Sequence, residues 1–192
     1  MALSSKGKIQ ARKLCQRLKA ETIHRLYSSD RKRAIQTTKI IFNGSKVKKM
    51  PGLREMHFGI FEGLSHSEII ARYPKIYRDW LRDPFRINIP KGENLNTFKK
   101  RVCGAFKKII SDNPDKNVAV ICHGGVISVF ITGILKSRDF WKQIPKPGSL
   151  SIVEYNKGKP KIRLFNDTSH LYRGRFLRQS KTVPQKMAVK GK

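Results

Sequence analysis

The stretch V118-A-V-I-C-H-G-G-V-I-S128 places the tightest constraint on what this chain can fold into. Val118 to Cys122 is an uninterrupted apolar run of the length of a strand buried on both faces. His123 ends it, Gly124 and Gly125 make a turn, and an apolar helix is predicted from Val126 to Leu135. A strand that ends in a polar residue, a glycine pair and a helix start is a common way to build an anion site. Glycines let backbone N–H groups approach a ligand, and the helix N-terminus adds positive potential. His123 then stands where a phosphoryl oxygen would sit. From these residues alone two readings stay open: a phosphate-handling His, or a buried strand whose last residue is a His.

The other motifs are arranged around this stretch. Leu3-Ser4-Ser5-Lys6-Gly7 predicts a helix start capped by Ser4, with Ala11, Leu14, Cys15 and Leu18 on one apolar face. A short strand is expected over residues 25–28. S28-S-D-R-K-R33 turns the chain into a second helix, with Ser29 or Asp30 as its cap. Arg33 falls in that helix's first turn, where a guanidinium can reach a dianion bidentately or simply stay solvated. M50-P-G-L-R-E-M-H-F-G-I-F-E-G63 is a glycine-punctuated loop carrying Glu55, His57 and Glu62. A carboxyl held beside a phosphate would have a raised pKa and serve as a general acid; the plainer reading pairs Glu55 with Arg54. Ser65 and Glu68 form a capping box, Pro74 interrupts the following helix, and Asn94 caps the next one. Residues 57–92 read as an insert that could cap a site. Within it, Tyr77, Trp80 and Phe85 either line a pocket or pack the insert, and packing is the expectation. Hydrophobic runs around N156-K-G-K159 predict a β-hairpin.

Composition narrows the class. With 192 residues, one domain over 1–171 is expected, followed by a basic, disordered tail over 172–192. No apolar run approaches the ~20 residues of a membrane span, and the N-terminus has no secretory pattern, so a cytoplasmic location is expected. Cys15, Cys103 and Cys122 are odd in number and widely spaced. They predict free thiols, buried for Cys15 and Cys122, rather than a disulfide frame or metal site. The net charge of +29 attracts anions, but no aromatic–basic nucleic-acid motif accompanies it. Nucleic-acid binding would therefore be non-specific; oligomeric state cannot be read from the sequence.

Taken together, S28-S-D-R-K-R-A-I-Q-T37, L53-R-E-M-H-F-G-I-F-E-G63, G92-E-N and C122-H-G-G-V126 occur in the order and spacing of the histidine phosphatase superfamily, which this chain resembles over about residues 1 to 171. The likeness is nearest to small bacterial members of the α-ribazole phosphatase or phosphoglycerate mutase type. It implies a three-layer α/β sandwich with a mainly parallel sheet and a helical cap insert. It also implies phosphomonoester hydrolysis through a phosphohistidine, with phosphoglycerate mutase activity as the near alternative. No cofactor and no metal are implied, and the partner would be a small phosphorylated substrate. Carried onto this chain, the resemblance makes His123 the second catalytic His, Arg33 a phosphate ligand, Glu55 the acid, and Gly124 a backbone N–H donor.

The family's nucleophile lies in an Arg-His-Gly motif at the end of a first strand, upstream of an L-S-x-x-G helix start. In this chain that helix start begins at Leu3, so the first central strand, expected beside the one ending in His123, is not in the sequence. One expectation is that Met1 is an internal methionine. A truncated inactive remnant and a non-catalytic binder using its basic surface are the alternatives. A sheet without that strand should expose apolar surface and unpaired backbone groups. His57 is the candidate for a substitute nucleophile, although nothing in the sequence gives it an in-line approach.

Overall fold

The computed structural model describes residues 2–137 and 139–172. The predicted tail over 172–192 lies outside them, except for Tyr172. Helix α1 (Ser5–Leu18) starts as expected, with Ser4 Oγ accepting the Gly7 N–H. Strand β1 (Arg25–Ser28), helix α2 (Lys32–Ile41) and strand β2 (Val47–Lys49) follow. Helices α3 (His66–Arg72) and α4 (Pro74–Arg82) lie in the insert; α3 opens on the Ser65–Glu68 capping box and α4 on Pro74. Helix α5 (Leu95–Ser111) starts at Asn94, whose side chain accepts from Asn96 and Thr97. Strand β3 (Val118–Ile121) leads into helix α6 (Gly124–Leu135). Strands β4 (Leu150–Asn156) and β5 (Lys159–Asp167) form a hairpin, and α7 (Ser169–Tyr172) is a single turn. The hairpin turns on Lys157 and Gly158, both at positive φ (48° and 74°), the conformation a two-residue connection needs.

The parallel sheet has the order β2-β1-β3, with Ser28 opposite both Lys49 and Ile121. Strands β4 and β5 make a separate antiparallel sheet. One face of β3 packs Val118 and Val120, with Tyr27 of β1, into the core that Phe98, Val102, Val126 and Val129 of α5 and α6 fill. Its Ile121 packs the other way, with Leu150, onto Ala11, Leu14 and Ile41 of α1 and α2. The three layers follow from this alternation of side chains along a strand.

Three expectations need correction. Strand β3 is only half-buried at each of its four residues. It pairs with β1 on one edge, and among the described residues no strand pairs with the other. Both faces are packed, but the open edge leaves each residue partly accessible. Gly124 and Gly125 are also not a turn before the helix but its first two residues. Cys15 and Cys122, though free, are half-buried.

The insert shares the main core. Trp80 lies edge-on to Phe58, Phe61 and Trp141, and Tyr77 packs edge-on to Phe61 and His66. Both aromatics pack the insert, as expected. Phe85 is half-buried against the same core and also lines a cleft with Leu95, Lys99 and Ser137.

Candidate active site

The C-terminal ends of β1 and β3 bring three distant segments to one point. Ser29 N–H donates to Ile121 O at 2.8 Å, tying the segment after β1 to the end of β3. His123 follows two residues later at the N-cap position of α6. The first turn of α2 rises from the neighbouring strand and carries Arg33, whose Nε donates to His123 Nδ1 at 3.2 Å. His123 Nε2 lies 2.8 Å from Ser29 Oγ. The imidazole is held between a guanidinium and a hydroxyl, and the residue is only 7% exposed.

The helix cap expected at Ser29 or Asp30 falls instead on Arg31, which makes no side-chain cap bond. Both predicted caps are engaged elsewhere. Ser29 Oγ meets His123 and accepts the Arg31 N–H at 3.3 Å, while Asp30 takes Arg54 at 2.7 Å through Nε. That hydrogen bond from Arg54 is the main reason the Asp30 carboxyl is held below the ordinary carboxylate range.

With Arg54 drawn to Asp30, Glu55 turns inward. Its carboxylate accepts the Gly125 N–H at 3.1 Å and the Met56 N–H at 3.0 Å. Burial still dominates and raises its pKa, against the pull of these two donors and of Arg33 and Arg101. A carboxyl near a cationic pocket yet biased towards its protonated form is suited to giving up a proton. The Gly pair serves this group. A Cβ on Gly125 would lie 2.5 Å from Glu55 Oε1. Gly125→Ala is therefore expected to expel the carboxylate, lower its pKa towards the ordinary value, and cost about 1–3 kcal/mol of stability. Carboxyl ¹³C titration of Glu55 checks the first effect and urea unfolding the second. Gly124, the expected donor, is half-buried at the first position of α6, and it is the Gly125 N–H that meets Glu55.

Two residues of this site have roles that the sequence reading did not assign. Arg101, on α5, binds Glu93 through Nε and Nη2 at 2.6 and 2.7 Å and also donates to the carbonyls of Gly52, Arg54 and Glu55. It fixes the loop that presents Glu55. Ser29 reads in the sequence only as turn chemistry. Glu93 lies in the G92-E-N motif, but a partner eight residues further on is visible only once α5 folds. His57 is exposed; its Nδ1 accepts the Gly59 N–H and its own N–H reaches Glu93, so its hydrogen bonds are not to His123 or Arg33.

Burial first, then the positive charges of Arg33, Arg31 and Arg101, lowers the His123 pKa to about 4. Unfolded, the ring would titrate near 6.5. Between these values the unfolded chain binds the extra proton, so stability falls as pH drops through that window, by up to about 3 kcal/mol. Glu55 works the other way: its raised pKa makes its contribution decline as pH rises. His123→Gln should therefore flatten the acid side of the stability profile. Urea midpoints at about pH 5 and about pH 7 would check this, and an unchanged difference between them would show that His123 is not held neutral.

At the strand ends of the parallel sheet an Arg, a His held near neutrality, a helix start and a buried carboxyl stand together, a set of groups chemically suited to an anion. Residues 1–168 match the Histidine phosphatase superfamily (branch 1), and the chain belongs to that family. It is 30% identical to the phosphoglycerate mutase-like protein 4 of Arabidopsis thaliana, across 91% of this chain and 78% of that protein. It is 27% identical to phosphoserine phosphatase 1 of Hydrogenobacter thermophilus, across 88% and 82%. The crystal structure of the α-ribazole phosphatase from Shigella flexneri superposes with a TM-score of 0.78 at 23% identity, covering 86% of this chain and 84% of that one. Among the described residues, no helix is long and apolar enough to cross a membrane.

Proposed function

We propose that this chain binds the phosphoryl group of a small phosphomonoester at Arg33 and His123 and that Glu55 protonates the leaving oxygen. The observation that carries this reading is the meeting of Arg33, His123 and Glu55, from three separate segments, at the strand ends. The guanidinium supplies planar paired donors for equatorial oxygens, and His123 adds a second polar contact. Phosphoryl transfer is dominated by anionic charge, so the guanidinium donors of Arg33 are the main requirement that this site meets. The Arg-His-Gly motif that carries the family's attacking imidazole is not in this sequence; phosphate binding at Arg33 and His123 does not require it, whereas protonation of the leaving oxygen by Glu55 accompanies attack by such a nucleophile and so does.

Turnover of phosphomonoesters with a chelator present, with inhibition by vanadate, tests the reading. Glu55→Gln should slow an alkyl phosphate far more than a nitrophenyl phosphate, by about 100-fold against less than about 10-fold, because only the poor leaving group needs the proton. Equal slowing would remove Glu55 from the role of acid. A second reading, binding of polyanions without turnover, is favoured by the net charge of +29. It predicts affinity that falls steeply with salt, by about one log unit per log unit of salt for each phosphate contacted.

A further inference from the structure

Ser29 is wholly buried at the end of β1, and its hydroxyl is the partner of His123 Nε2. The opposite ring nitrogen, Nδ1, accepts from Arg33. A guanidinium has donors only, so Nδ1 must be the unprotonated nitrogen. A neutral imidazole carries one proton, which is then on Nε2 and points at Ser29 Oγ. The hydroxyl has two acceptor sites, and the Arg31 N–H uses the other. Its own backbone N–H is fixed on Ile121, so the acceptor cannot drift from the strand that carries His123.

We propose that Ser29 is a positioning residue: its Oγ accepts the Nε2 proton of His123 and holds the ring so that Nδ1 faces Arg33 and the phosphate position. This rests on the phosphate-site reading above. Arg33 leaves Nδ1 when a phosphoryl oxygen draws the guanidinium away. Ser29 is then the remaining hold on the ring, and Nδ1 is open to accept the O–H of a singly protonated phosphoryl group. Burial, then the positive charges of Arg33, Arg31 and Arg101, favours the neutral ring this requires, and the charge of Asp30 opposes it.

The test uses the full chain labelled with ¹⁵N-histidine, with His123 assigned by its loss in His123→Gln. In the unmutated chain at about neutral pH, long-range ¹H–¹⁵N spectra should show His123 as the Nε2–H tautomer with a slowly exchanging Nε2–H. Ser29→Ala should leave the amide spectrum native, speed that exchange at least about tenfold, and weaken binding of inorganic phosphate about tenfold. Ser29→Cys keeps the side chain's shape with a slightly larger atom that is a poorer acceptor, and serves if the alanine chain fails to fold; exchange should again be faster. An Nδ1–H tautomer in the unmutated chain, or unmutated exchange rates in the variant that folds, would overturn the proposal. If the tautomer is Nε2–H but inorganic phosphate moves neither His123 nor the Arg33 Nε signal, the phosphate-site reading fails while the assignment of Ser29 as the Nε2 acceptor stands.

Discussion

Arg33→Met is expected to weaken binding of inorganic phosphate by about 100-fold while the fold stays intact. Each hydrogen bond from a charged donor is worth about 1.5–3 kcal/mol, and the guanidinium can place two on one anion. Methionine keeps most of the side-chain length on the first turn of α2, so the half-buried position stays filled. Isothermal titration with phosphate gives the affinity directly. A second readout ties the effect to this site. Removing the charge of Arg33 should raise the His123 pKa above its value of about 4, though burial, the larger cause, keeps it below the ordinary range. Arg33→Lys should recover only part of the affinity, because an ammonium is a point charge and not a fork. Unchanged phosphate binding in Arg33→Met would place the anion site elsewhere on this basic surface.

Arg101→Met is expected to cost about 2–3 kcal/mol of stability and to release the loop that carries Glu55. The side chain joins a paired carboxylate, three backbone carbonyls and the face of Phe98, whose ring centre is 4.8 Å from the guanidinium. Breaking a fully buried pair costs about 3–5 kcal/mol. The Arg101 and Glu93 side chains are 27% and 14% exposed, which lowers the figure but leaves it well above that of a surface pair. Urea unfolding should show a lower midpoint at unchanged slope. Arg101→Lys should recover little, since one ammonium cannot serve Glu93 and three carbonyls in their fixed directions. A loss below about 0.5 kcal/mol would mean that the loop is held by its apolar residues, Leu53 and Met56, instead.

Arg33, Glu55 and His123 are legible in the sequence because each stands where local chemistry marks a boundary: a helix start after a Ser-Ser-Asp turn, a glycine-punctuated loop, and the end of an apolar strand. The roles of Ser29, Gly125 and Arg101 are not, although these residues hold those three in place. Ser29 looks like a helix cap, but the packing of β3 against β1 brings His123 to it, and a buried imidazole competes successfully for the hydroxyl. Asp30 is taken from the same cap by Arg54, an ion pair across 24 positions that frees Glu55 to turn inward.

By itself, then, the sequence determined the order of the elements and the residue types at the strand ends, while the assignment of α1–α2 and α5–α6 to opposite faces of the sheet came with the fold. Periodicity, capping and glycine placement act over a few residues and can be read there. The tertiary structure alone decided which of two adjacent glycines must lack a side chain, which nitrogen of His123 carries the proton, and which arginine steadies the Glu55 loop. Those outcomes depend on contacts between positions 46 to 94 residues apart, where packing and the competition among several donors for one acceptor set the result.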